Sequence, residues 1–345
     1  MTTIGILGAG QLGKMLAEAA AELGFKTHVF APDADPVAAA AATHFTQADY
    51  EDIKALQKFA ASVDVITLEF ENVPVAPLKK LATPIYPSPA ALEISQHRVR
   101  EKTLANSLGI ETAPFAAVRS PEELRRAMET VGVPGILKTC TLGYDGKGQW
   151  KVATPADAPP LPPGDYIYEG FVQFDKEISV IVARGTGGEI QCFEPVENMH
   201  RNHILHTTTA PANISAEIAA KAIHTATTLA NALEVAGLLA VEMFITRDGH
   251  VLMNEMAPRP HNSGHWTLDG CNVSQFEQAI RAVTGMKLIA PKRTAEKVVM
   301  TNLIGDEVNH LESWKKPGAH IHMYGKKESR PGRKMGHVTI LSPRD

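Results

Sequence analysis

The stretch from residue 240 to residue 266, AVEMFITRDGHVLMNEMAPRPHNSGHW, most constrains how this chain can fold. Two mainly apolar runs flank Asp248-Gly249, a dipeptide typical of a two-residue hairpin turn. Facing residues are then equidistant from the turn, which places Glu242 opposite Glu255. Because paired carboxylates repel each other across a sheet, and Mg²⁺ takes oxygen ligands, the pattern predicts a metal site. Two solvated glutamates on an open sheet face are the alternative.

Composition sets the class of protein. The chain has 345 residues, of which 44% are hydrophobic and 21% charged, enough for two or three domains with ordinary cores. A net charge of −4 gives no basic field for nucleic acid or an anionic membrane. The sequence shows no apolar run of about 20 residues, and its start resembles a strand rather than a signal peptide. Cys140, Cys192 and Cys271 lack metal-ligand spacing. We expect a cytoplasmic protein without disulfides, membrane contacts or nucleic-acid partners.

The N-terminal residues follow a strand, glycine loop and helix pattern. An apolar strand at Thr3–Leu7 precedes GAGQLG at Gly8–Gly13, and Asp33 follows the next strand, where a ribose-binding acid is expected. Alone, this pattern supports an NAD-dependent oxidoreductase. Glycine turns at a helix start also accept other phosphates, including a sugar phosphate, and a tight turn without ligand is the structural alternative.

Two strands carry further candidate ligands. The strand from Asp64 ends in Glu71 and Asn72, which would meet a substrate at the carboxyl edge of a parallel sheet or else be solvated. The strand Gly135–Cys140 contains Lys138, for which a nucleotide phosphate is favoured over a snorkelling lysine.

Two loops and a helix are the remaining candidates for ligand binding. The loop Gly143–Gln149 is rich in glycine and can lay backbone N–H groups along a polyphosphate. The turn Ser329–His337 is dense in basic residues, and suits either a phosphate clamp or a solvated loop. The basic helix His97–Gly109 would by itself be a solvated face.

In this order the motifs resemble the ATP-grasp superfamily, in which a nucleotide lies between two α+β subdomains and Mg²⁺ bridges its phosphates to acidic residues. The resemblance narrows to the 5-(carboxyamino)imidazole ribonucleotide synthase family. The matching segments run through essentially the whole chain: GAGQLG at 8–13, EFEN at 69–72, GYDGKGQW at 143–150, NEMAPRPHNSGHW at 254–266 and RPGRKMGH at 330–337.

The resemblance implies an α/β and α+β chain with an ATP-grasp fold. A Rossmann-like domain would occupy residues 1–105, the ATP-grasp domain 106–290, and a small C-terminal domain, packed on the first, 291–345. It implies an ATP-dependent ligase that carboxylates aminoimidazole ribonucleotide with bicarbonate in purine biosynthesis, through carboxyphosphate. It also suggests a homodimer and a hand-off of product to a downstream mutase. A formate-using glycinamide ribonucleotide transformylase of the same superfamily is the alternative, besides the oxidoreductase.

The resemblance assigns roles to residues. ATP would contact Arg98, Lys138, Gly143, Tyr144, Asp145, Gly146, Lys147, Gly148, Gln149, Glu169, Gly170, Phe171, Val172, Glu177, His200, Asn254 and Glu255. The ribonucleotide would contact Gln11, Leu12, Glu71, Asn72, Tyr144, Asp145, His261, Asn262, Ser263, Lys327, Arg330, Arg333 and Lys334. Asp145, Lys147, Arg259 and His261 would be catalytic, with Asp145 or His261 accepting the amine proton, and Glu242 and Glu255 would hold Mg²⁺. Ala257 replaces the asparagine that many ATP-grasp enzymes carry, which indicates a weaker second metal position.

Overall fold

The N-terminal part of the chain is a parallel sheet with helices packed on it. The computed structural model describes residues 1–34, 36–143 and 148–343. Its first elements are β1 (Thr3–Leu7), α1 (Gln11–Glu22), β2 (Lys26–Ala31), a 3₁₀ turn (Val37–Ala40), β3 (His44–Gln47), α2 (Ile53–Ala60), β4 (Val65–Leu68), α3 (Val75–Leu78), α4 (Pro89–Ser95) and α5 (Arg98–Ser107). The strand order is β3-β2-β1-β4, and all pairs are parallel. Strands β1 and β4 are nearly continuous apolar runs because helices cover both sheet faces.

A small antiparallel sheet follows. It contains β5 (Phe115–Val118), β6 (Gly135–Thr139), β7 (Gln149–Val152) and β8 (Tyr166–Gly170) in the order β5-β8-β6-β7, with α6 (Pro121–Val131) packed on β5 and β8 and a 3₁₀ turn at Pro155–Asp157. Helix α6 begins after Ser120, because the Ser120 hydroxyl accepts a hydrogen bond from the Glu123 amide at 3.2 Å. The Glu123 carboxylate accepts from the Arg119 amide rather than from that of Ser120, so the capping box is only half formed.

The largest sheet spans the rest of the chain. Its elements are β9 (Phe174–Arg184), β10 (Ile190–Cys192), β11 (Val196–Arg201), β12 (Ile204–Ala210), α7 (Ala216–Ala232), β13 (Gly237–Thr246), β14 (Val251–Ala257), a 3₁₀ turn (Asn262–Gly264), α8 (Thr267–Gly270), α9 (Gln275–Thr284), β15 (Lys297–Ile304), a 3₁₀ segment (Gly305–Trp314), β16 (Ala319–Met323) and β17 (Lys334–Ser342). The antiparallel order is β14-β13-β9-β11-β12-β15-β17-β16, with β10 beside β9. The C-terminal strands therefore continue the central sheet through the β12–β15 pair.

The basic turn is shorter than the sequence indicated. Strand β17 begins at Lys334, so the predicted turn Ser329–His337 ends at Arg333, and His337 is fully buried in the sheet. The continuous burial of residues 335–339 along β17 outweighs the local density of basic residues, because Met335 and Val338 belong to the core.

One core joins the two ends of the chain. Helix α1 packs on α9, and buried residues of the first sheet share a hydrophobic cluster with Phe276 and Ile280. Such burial is the main stabilising contribution, at about 25 cal/mol per Å² of apolar surface. In the described ranges, no helix has the length and apolar character that crossing a bilayer requires.

Candidate active site

Glu242 and Glu255 face each other across β13 and β14, as the sequence predicts, although the turn differs from the predicted one. The loop between the strands has three residues rather than two, since the Thr246 amide pairs with the His250 carbonyl and Gly249 takes a φ of +85°. Beyond the turn, Met243 pairs with Met253, and the register shifts between Glu242 and Met243. Asn254 is therefore a bulge that brings the two carboxylates back opposite each other.

Each of these carboxylates also contacts a basic side chain. The Glu242 Oε1 atom lies 2.9 Å from His261 Nε2, and the Glu255 Oε2 atom accepts a hydrogen bond of 2.8 Å from Arg98 Nη1. Burial raises the pKa of Glu242, but the hydrogen bond and charge of His261 outweigh it and hold that pKa at about 2. Glu242 is therefore ionised at neutral pH, as a metal ligand must be.

The donor set fits a hard divalent cation. Two carboxylates on adjacent strands share one face of the sheet, and Mg²⁺ in nucleotide sites is usually held by one or two carboxylates and by phosphate oxygens. Arg98 connects this pair to the glycine loop, because its Nη2 atom donates to the Gly143 carbonyl at 3.2 Å. The residues that would meet a metal and those that would meet phosphate thus lie side by side.

Lys138 lies where the sequence predicts, and a second lysine joins it. The Lys138 Nζ atom is 2.7 Å from Glu169 Oε2, and the Lys102 Nζ atom is 3.5 Å from Glu169 Oε1. Burial raises the pKa of Glu169, but the two ammonium groups outweigh it and hold that pKa at about 2. Two cations share one buried carboxylate, which leaves a net positive charge beside the glycine loop, as an anionic ligand requires.

Helix α5 is not the solvated basic face that its sequence suggested as an isolated segment. Lys102 is 1% exposed and donates a 2.9 Å hydrogen bond to the carbonyl of the bulged Asn254. Glu101 is also buried, and its carboxylate accepts a hydrogen bond from the Met256 amide. Burial, reinforced by the nearby Glu255 carboxylate, raises the pKa of Glu101. The helix therefore fixes the strand that carries Glu255.

A buried polar network supports His261. Its Nδ1 atom is 2.8 Å from the Ser263 hydroxyl, which lies 2.7 Å from the Ser179 hydroxyl on β9. Asn198 donates to the same Ser179 oxygen at 3.0 Å. On the neighbouring strand, His200 forms an ion pair with Glu177. Both residues were predicted to bind the nucleotide. Because the network fixes the ring of His261, it also fixes the Glu242 carboxylate.

Arg259 and Glu71 form a half-buried bidentate ion pair. The Arg259 Nε atom donates to Glu71 Oε2, and its Nη2 atom donates to Glu71 Oε1 at 2.8 Å. Burial raises the pKa of Glu71, but the guanidinium outweighs it, and the net result is a lowered pKa. The pair joins the end of β4 to the segment after β14, so the first sheet is fixed against the hairpin that carries Glu242 and Glu255.

The N-terminal glycine loop does not offer a dinucleotide site. The Glu69 carboxylate accepts hydrogen bonds from the amides of Gly10 at 2.6 Å and Gly13 at 2.7 Å, where a phosphate would bind. Burial raises the pKa of Glu69, although these two amides oppose the shift. This contact disfavours the alternative of an NAD phosphate at this loop with Asp33 on the ribose. A carboxylate from the same chain occupies the anion position.

The basic turn makes contacts of its own, and Lys334 after it is close to the candidate metal pair. Arg330 pairs with Glu328 at 2.5 Å, and Arg333 donates to the Glu328 carbonyl at 2.7 Å. The charge of Lys334 acts on the pKa values of both His200 and Glu242, so Lys334, at the start of β17, lies within electrostatic reach of these two residues.

For the other predicted residues, the structure gives a position in the fold that does not by itself assign a role at this site. Gln11 and Leu12 begin α1, Asn72 follows β4, Gln149 begins β7 opposite Lys138, and Gly170, Phe171 and Val172 follow Glu169. Asn262 pairs with the amide of Asn302, Lys327 lies near the basic turn, and Gly148 continues the loop after the undescribed residues. Tyr144, Asp145, Gly146 and Lys147 lie outside the described residues.

Several site residues escaped the sequence analysis. Lys102, Glu69, Ser179 and Asn198 are ordinary polar residues in sequence, and their partners lie far along the chain. The strand β9 offered one signal, since Glu177 and Ser179 alternate with apolar residues and so share its polar face.

Three domain families match consecutive stretches of the chain. They are the ribonucleotide synthetase preATP-grasp domain over residues 1–96, the ATP-grasp domain over 103–276, and the phosphoribosylaminoimidazole carboxylase C-terminal domain over 298–345. Together with the site, these matches define an ATP-dependent ligase with an ATP-grasp fold, which confirms the predicted fold class.

Relatives that match over nearly the whole chain identify the family within this class of ligases. The chain is 48% identical over 352 aligned residues to N5-carboxyaminoimidazole ribonucleotide synthase of Brucella melitensis, with 99% of this chain and 97% of the relative covered. The structure resembles an ADP complex of N5-carboxyaminoimidazole ribonucleotide synthetase, with a TM-score of 0.94, 41% identity, and coverage of 99% and 93% of the two chains.

A third comparison is with a synthase structure that contains a ribonucleotide as well as ADP. The Aspergillus clavatus synthase in complex with ADP and 5-aminoimidazole ribonucleotide matches with a TM-score of 0.92, 30% identity, and coverage of 99% and 94%. The chain belongs to the N5-carboxyaminoimidazole ribonucleotide synthase family. These relatives favour neither the formate-using transformylase nor the oxidoreductase.

Proposed function

We propose that this chain uses ATP and bicarbonate to carboxylate 5-aminoimidazole ribonucleotide to N5-carboxyaminoimidazole ribonucleotide, a step of purine biosynthesis. The observation that carries the proposal is the facing pair of Glu242 and Glu255, beside Lys138 and Arg98, in a chain of this family. A phosphate-transferring enzyme needs such a cluster of anionic metal ligands beside cations.

Residues beside the hairpin account for ATP binding. Arg98 donates to the Gly143 carbonyl, Lys138 pairs with Gln149 between β6 and β7, and both side chains are largely shielded from water. The triphosphate would lie between them, where its charge would balance that of Lys102 and Lys138 around Glu169. The adenine would lie toward the segment after Glu169, and His200 with Glu177 would contact the ribose.

Glu242 and Glu255 would hold Mg²⁺. When bound, Mg²⁺ neutralises charge on the nucleotide phosphates. The chain's own contribution is to keep Glu242 ionised and to hold both carboxylates in position. His261 and the Ser263 network fix Glu242, while Arg98 and helix α5 fix Glu255 and its strand.

The chemistry has two steps. Bicarbonate is a poor electrophile, so a bicarbonate oxygen first attacks the γ-phosphorus of ATP, the bond to ADP breaks, and carboxyphosphate forms. The amine of the ribonucleotide then attacks the carboxyl carbon, the bond to phosphate breaks, and a base accepts the amine proton. His261 or Asp145 would accept that proton; the ring of His261 lies 2.9 Å from Glu242 and 2.8 Å from the Ser263 hydroxyl. Arg259 and Lys147 would stabilise developing charge.

The ribonucleotide phosphate would bind at the basic turn of Lys327, Arg330, Arg333 and Lys334. Arg333→Ala is expected to raise the KM for the ribonucleotide about tenfold and to leave the KM for ATP nearly unchanged, because one charge-assisted phosphate contact is lost. Steady-state kinetics with each substrate varied in turn would check this. Lys315→Ala, which removes an exposed cation paired with Glu312, is the control. Equal changes in both KM values would place the phosphate elsewhere.

The deciding experiment measures ADP release with ATP, Mg²⁺ and bicarbonate, with and without aminoimidazole ribonucleotide. We expect strong stimulation that requires both bicarbonate and the ribonucleotide. Stimulation by glycinamide ribonucleotide and formate instead would overturn the substrate assignment and leave the ATP-grasp assignment intact. Absence of ATP turnover in every mixture would contradict the nucleotide assignment.

The family resemblance extends the proposal to the cell. We infer a cytoplasmic homodimer that passes its product to a downstream mutase. Analytical ultracentrifugation of the full chain tests the dimer, and a coupled assay with the mutase tests the hand-off. A monomer at micromolar concentration would contradict the first inference.

A further inference from the structure

A second cluster of ligand-type side chains lies away from the carboxylate pair, where α8 packs on β17. Asp269, His322 and His337 each present one donor atom, and these atoms lie within 4.8 Å of one another. The His322 Nε2 atom is 2.9 Å from Asp269 Oδ2, and the rings of His322 and His337 stack with their centroids 4.6 Å apart. The three side chains come from three different elements, α8, β16 and β17.

His337 has an unsatisfied ring nitrogen within this cluster. Its side chain is fully buried, and its Nδ1 atom is 2.9 Å from the Tyr324 hydroxyl. The Nε2 atom is buried and has no hydrogen-bond partner among the described residues. A buried nitrogen without a partner is costly, because it has lost water and gained nothing in return. Such an atom, next to a carboxylate and a second imidazole, suits a ligand that the protein alone does not supply.

The surroundings of His337 match those of a metal-binding histidine. Metal-ligating imidazoles donate the N–H of their other ring nitrogen to a neighbouring oxygen, which fixes tautomer and orientation. The Tyr324 oxygen is placed to accept such a bond from His337 Nδ1. Tyr324 is itself 2% exposed, so this contact is rigid. The orienting group exists already, and only the ion is needed to satisfy Nε2.

We propose that Asp269, His322 and His337 form a site for a divalent transition-metal ion of the Zn²⁺ type. Two imidazoles and one carboxylate are a donor set that Zn²⁺ accepts in tetrahedral geometry and that Mg²⁺, with its preference for oxygen, does not. The fourth position belongs to water or to His320, whose Nδ1 atom is 3.4 Å from Asp269 Oδ1 at the exposed edge of the cluster. This proposal does not rest on the proposed function.

The position of the site gives it a structural consequence. Asp269 lies on α8, which follows directly after the turn that carries Asn262 and Ser263. An ion held by Asp269 and by two strands of the central sheet would tie that segment to β16 and β17. Ser263 contacts His261, so the ion would stabilise the support of the active site without touching it.

The test measures Zn²⁺ binding by competition with a chromophoric chelator, on full-length protein freed of metal and kept in excess Mg²⁺. The excess Mg²⁺ occupies oxygen-ligand sites and leaves imidazole sites open. Wild-type protein is expected to take up one tight equivalent. His322→Gln and Asp269→Asn, at partly exposed or peripheral positions, are each expected to weaken it on the order of 100-fold. His250→Gln is the matched control, because His250 also contacts two carboxylates, Glu111 and Asp248, but is exposed on a turn.

The visible absorption spectrum of bound Co²⁺ gives a second measure of metal binding at this site. Co²⁺ in place of Zn²⁺ should give wild-type protein and His250→Gln the intense visible absorption of a tetrahedral site with nitrogen ligands, and neither cluster variant should show it. Circular dichroism checks that all variants fold. No tight equivalent in wild-type protein, or equal uptake by wild type and both folded cluster variants, would overturn the proposal.

Discussion

The carboxylate of Glu169 illustrates how a single residue in this site is stabilised by distant partners. It is 4% exposed and lies between Lys138 on its own small sheet and Lys102 on α5. The strand position of Lys138 was predictable, because a lysine in an apolar strand requires an anion. The role of Lys102 was not predictable, because the sequence of a charged helix does not show which residues contact each of its faces.

The first prediction concerns the pH dependence of this ion cluster. The folded pKa of Glu169, about 2, lies below its ordinary value, so its contribution to stability is fully present above about pH 4.5 and declines below that. Protonated glutamate resembles glutamine. Glu169→Gln should therefore lower the free energy of unfolding by about 3 kcal/mol at pH 7, and the deficit should shrink by about 1 kcal/mol near pH 4.

Urea denaturation of both proteins between pH 7 and pH 4 would measure this difference. Glu129→Gln, at an exposed position on α6, is the control, and its difference from wild type should stay near zero throughout. A deficit for Glu169→Gln that stays constant or grows as the pH falls would contradict the assignment of charge in the cluster.

Glu255 gives the second prediction at this scale. Glu255→Gln keeps the shape and the strand pairing but removes the charge that would bind the metal and that pairs with Arg98. ATP turnover should fall at least about 100-fold, equivalent to about 2.7 kcal/mol of transition-state stabilisation, with little change in thermal stability. Glu277→Gln, which removes the charge of a half-buried pair with Arg281 on α9, is the control. Normal turnover in Glu255→Gln would exclude the carboxylate pair as the metal site.

At the scale of elements, the hairpin shows how a correct pairing can follow from an incomplete prediction. The sequence predicts a two-residue turn, whereas the turn has three residues and the bulge at Asn254 compensates for the third. A bulge leaves no simple signature in sequence. Here Lys102 stabilises it from α5 by bonding the Asn254 carbonyl. The facing carboxylates could be predicted, but the distant lysine that holds them in register could not.

The glycine loop between β1 and α1 carries the third prediction. Gly8 has a φ of +109°, and a Cβ atom there would lie 2.1 Å from Glu69 Cγ. Gly24 also has a positive φ, +81°, but a Cβ atom would meet nothing within 4 Å. Gly24→Ala should therefore cost only the backbone strain of about 1–2 kcal/mol. Gly8→Ala should cost clearly more, because it also displaces the carboxylate that satisfies the loop amides.

Thermal and urea unfolding of the two alanine variants would measure this difference. Equal losses in both would mean that the Glu69 carboxylate does not occupy the loop. The same comparison tests the reason that the dinucleotide pattern does not identify a dinucleotide site here, namely that the Glu69 carboxylate occupies the loop. Pattern and spacing describe the backbone of the loop correctly, but they do not reveal which anion fills it.

At the scale of the whole molecule, the order of motifs carried more information than any one of them. The chain order of glycine loop, lysine strand, second glycine loop and paired carboxylates was sufficient to indicate the ATP-grasp fold. The strand order of the central sheet could not be predicted. Strand β12 pairs with β15, and the separation of these two strands in sequence leaves no local pattern. Long-range pairing is decided by packing of the whole chain.

The final prediction uses the stability of the whole molecule to choose between nucleotide classes. A ligand that binds only the folded chain stabilises it by mass action, by about 2.7 kcal/mol at 100 times its Kd. ATP with Mg²⁺ should therefore raise the melting temperature by several degrees. NAD at the same concentration should leave it unchanged, because Glu69 already occupies the amides that a dinucleotide phosphate would need. Differential scanning fluorimetry measures both, and Lys138→Met, which removes a phosphate contact but leaves the N-terminal loop intact, should lose most of the ATP effect. A shift with NAD, or an undiminished ATP shift in Lys138→Met, would mean that the nucleotide binds at the N-terminal sheet rather than beside the carboxylate hairpin.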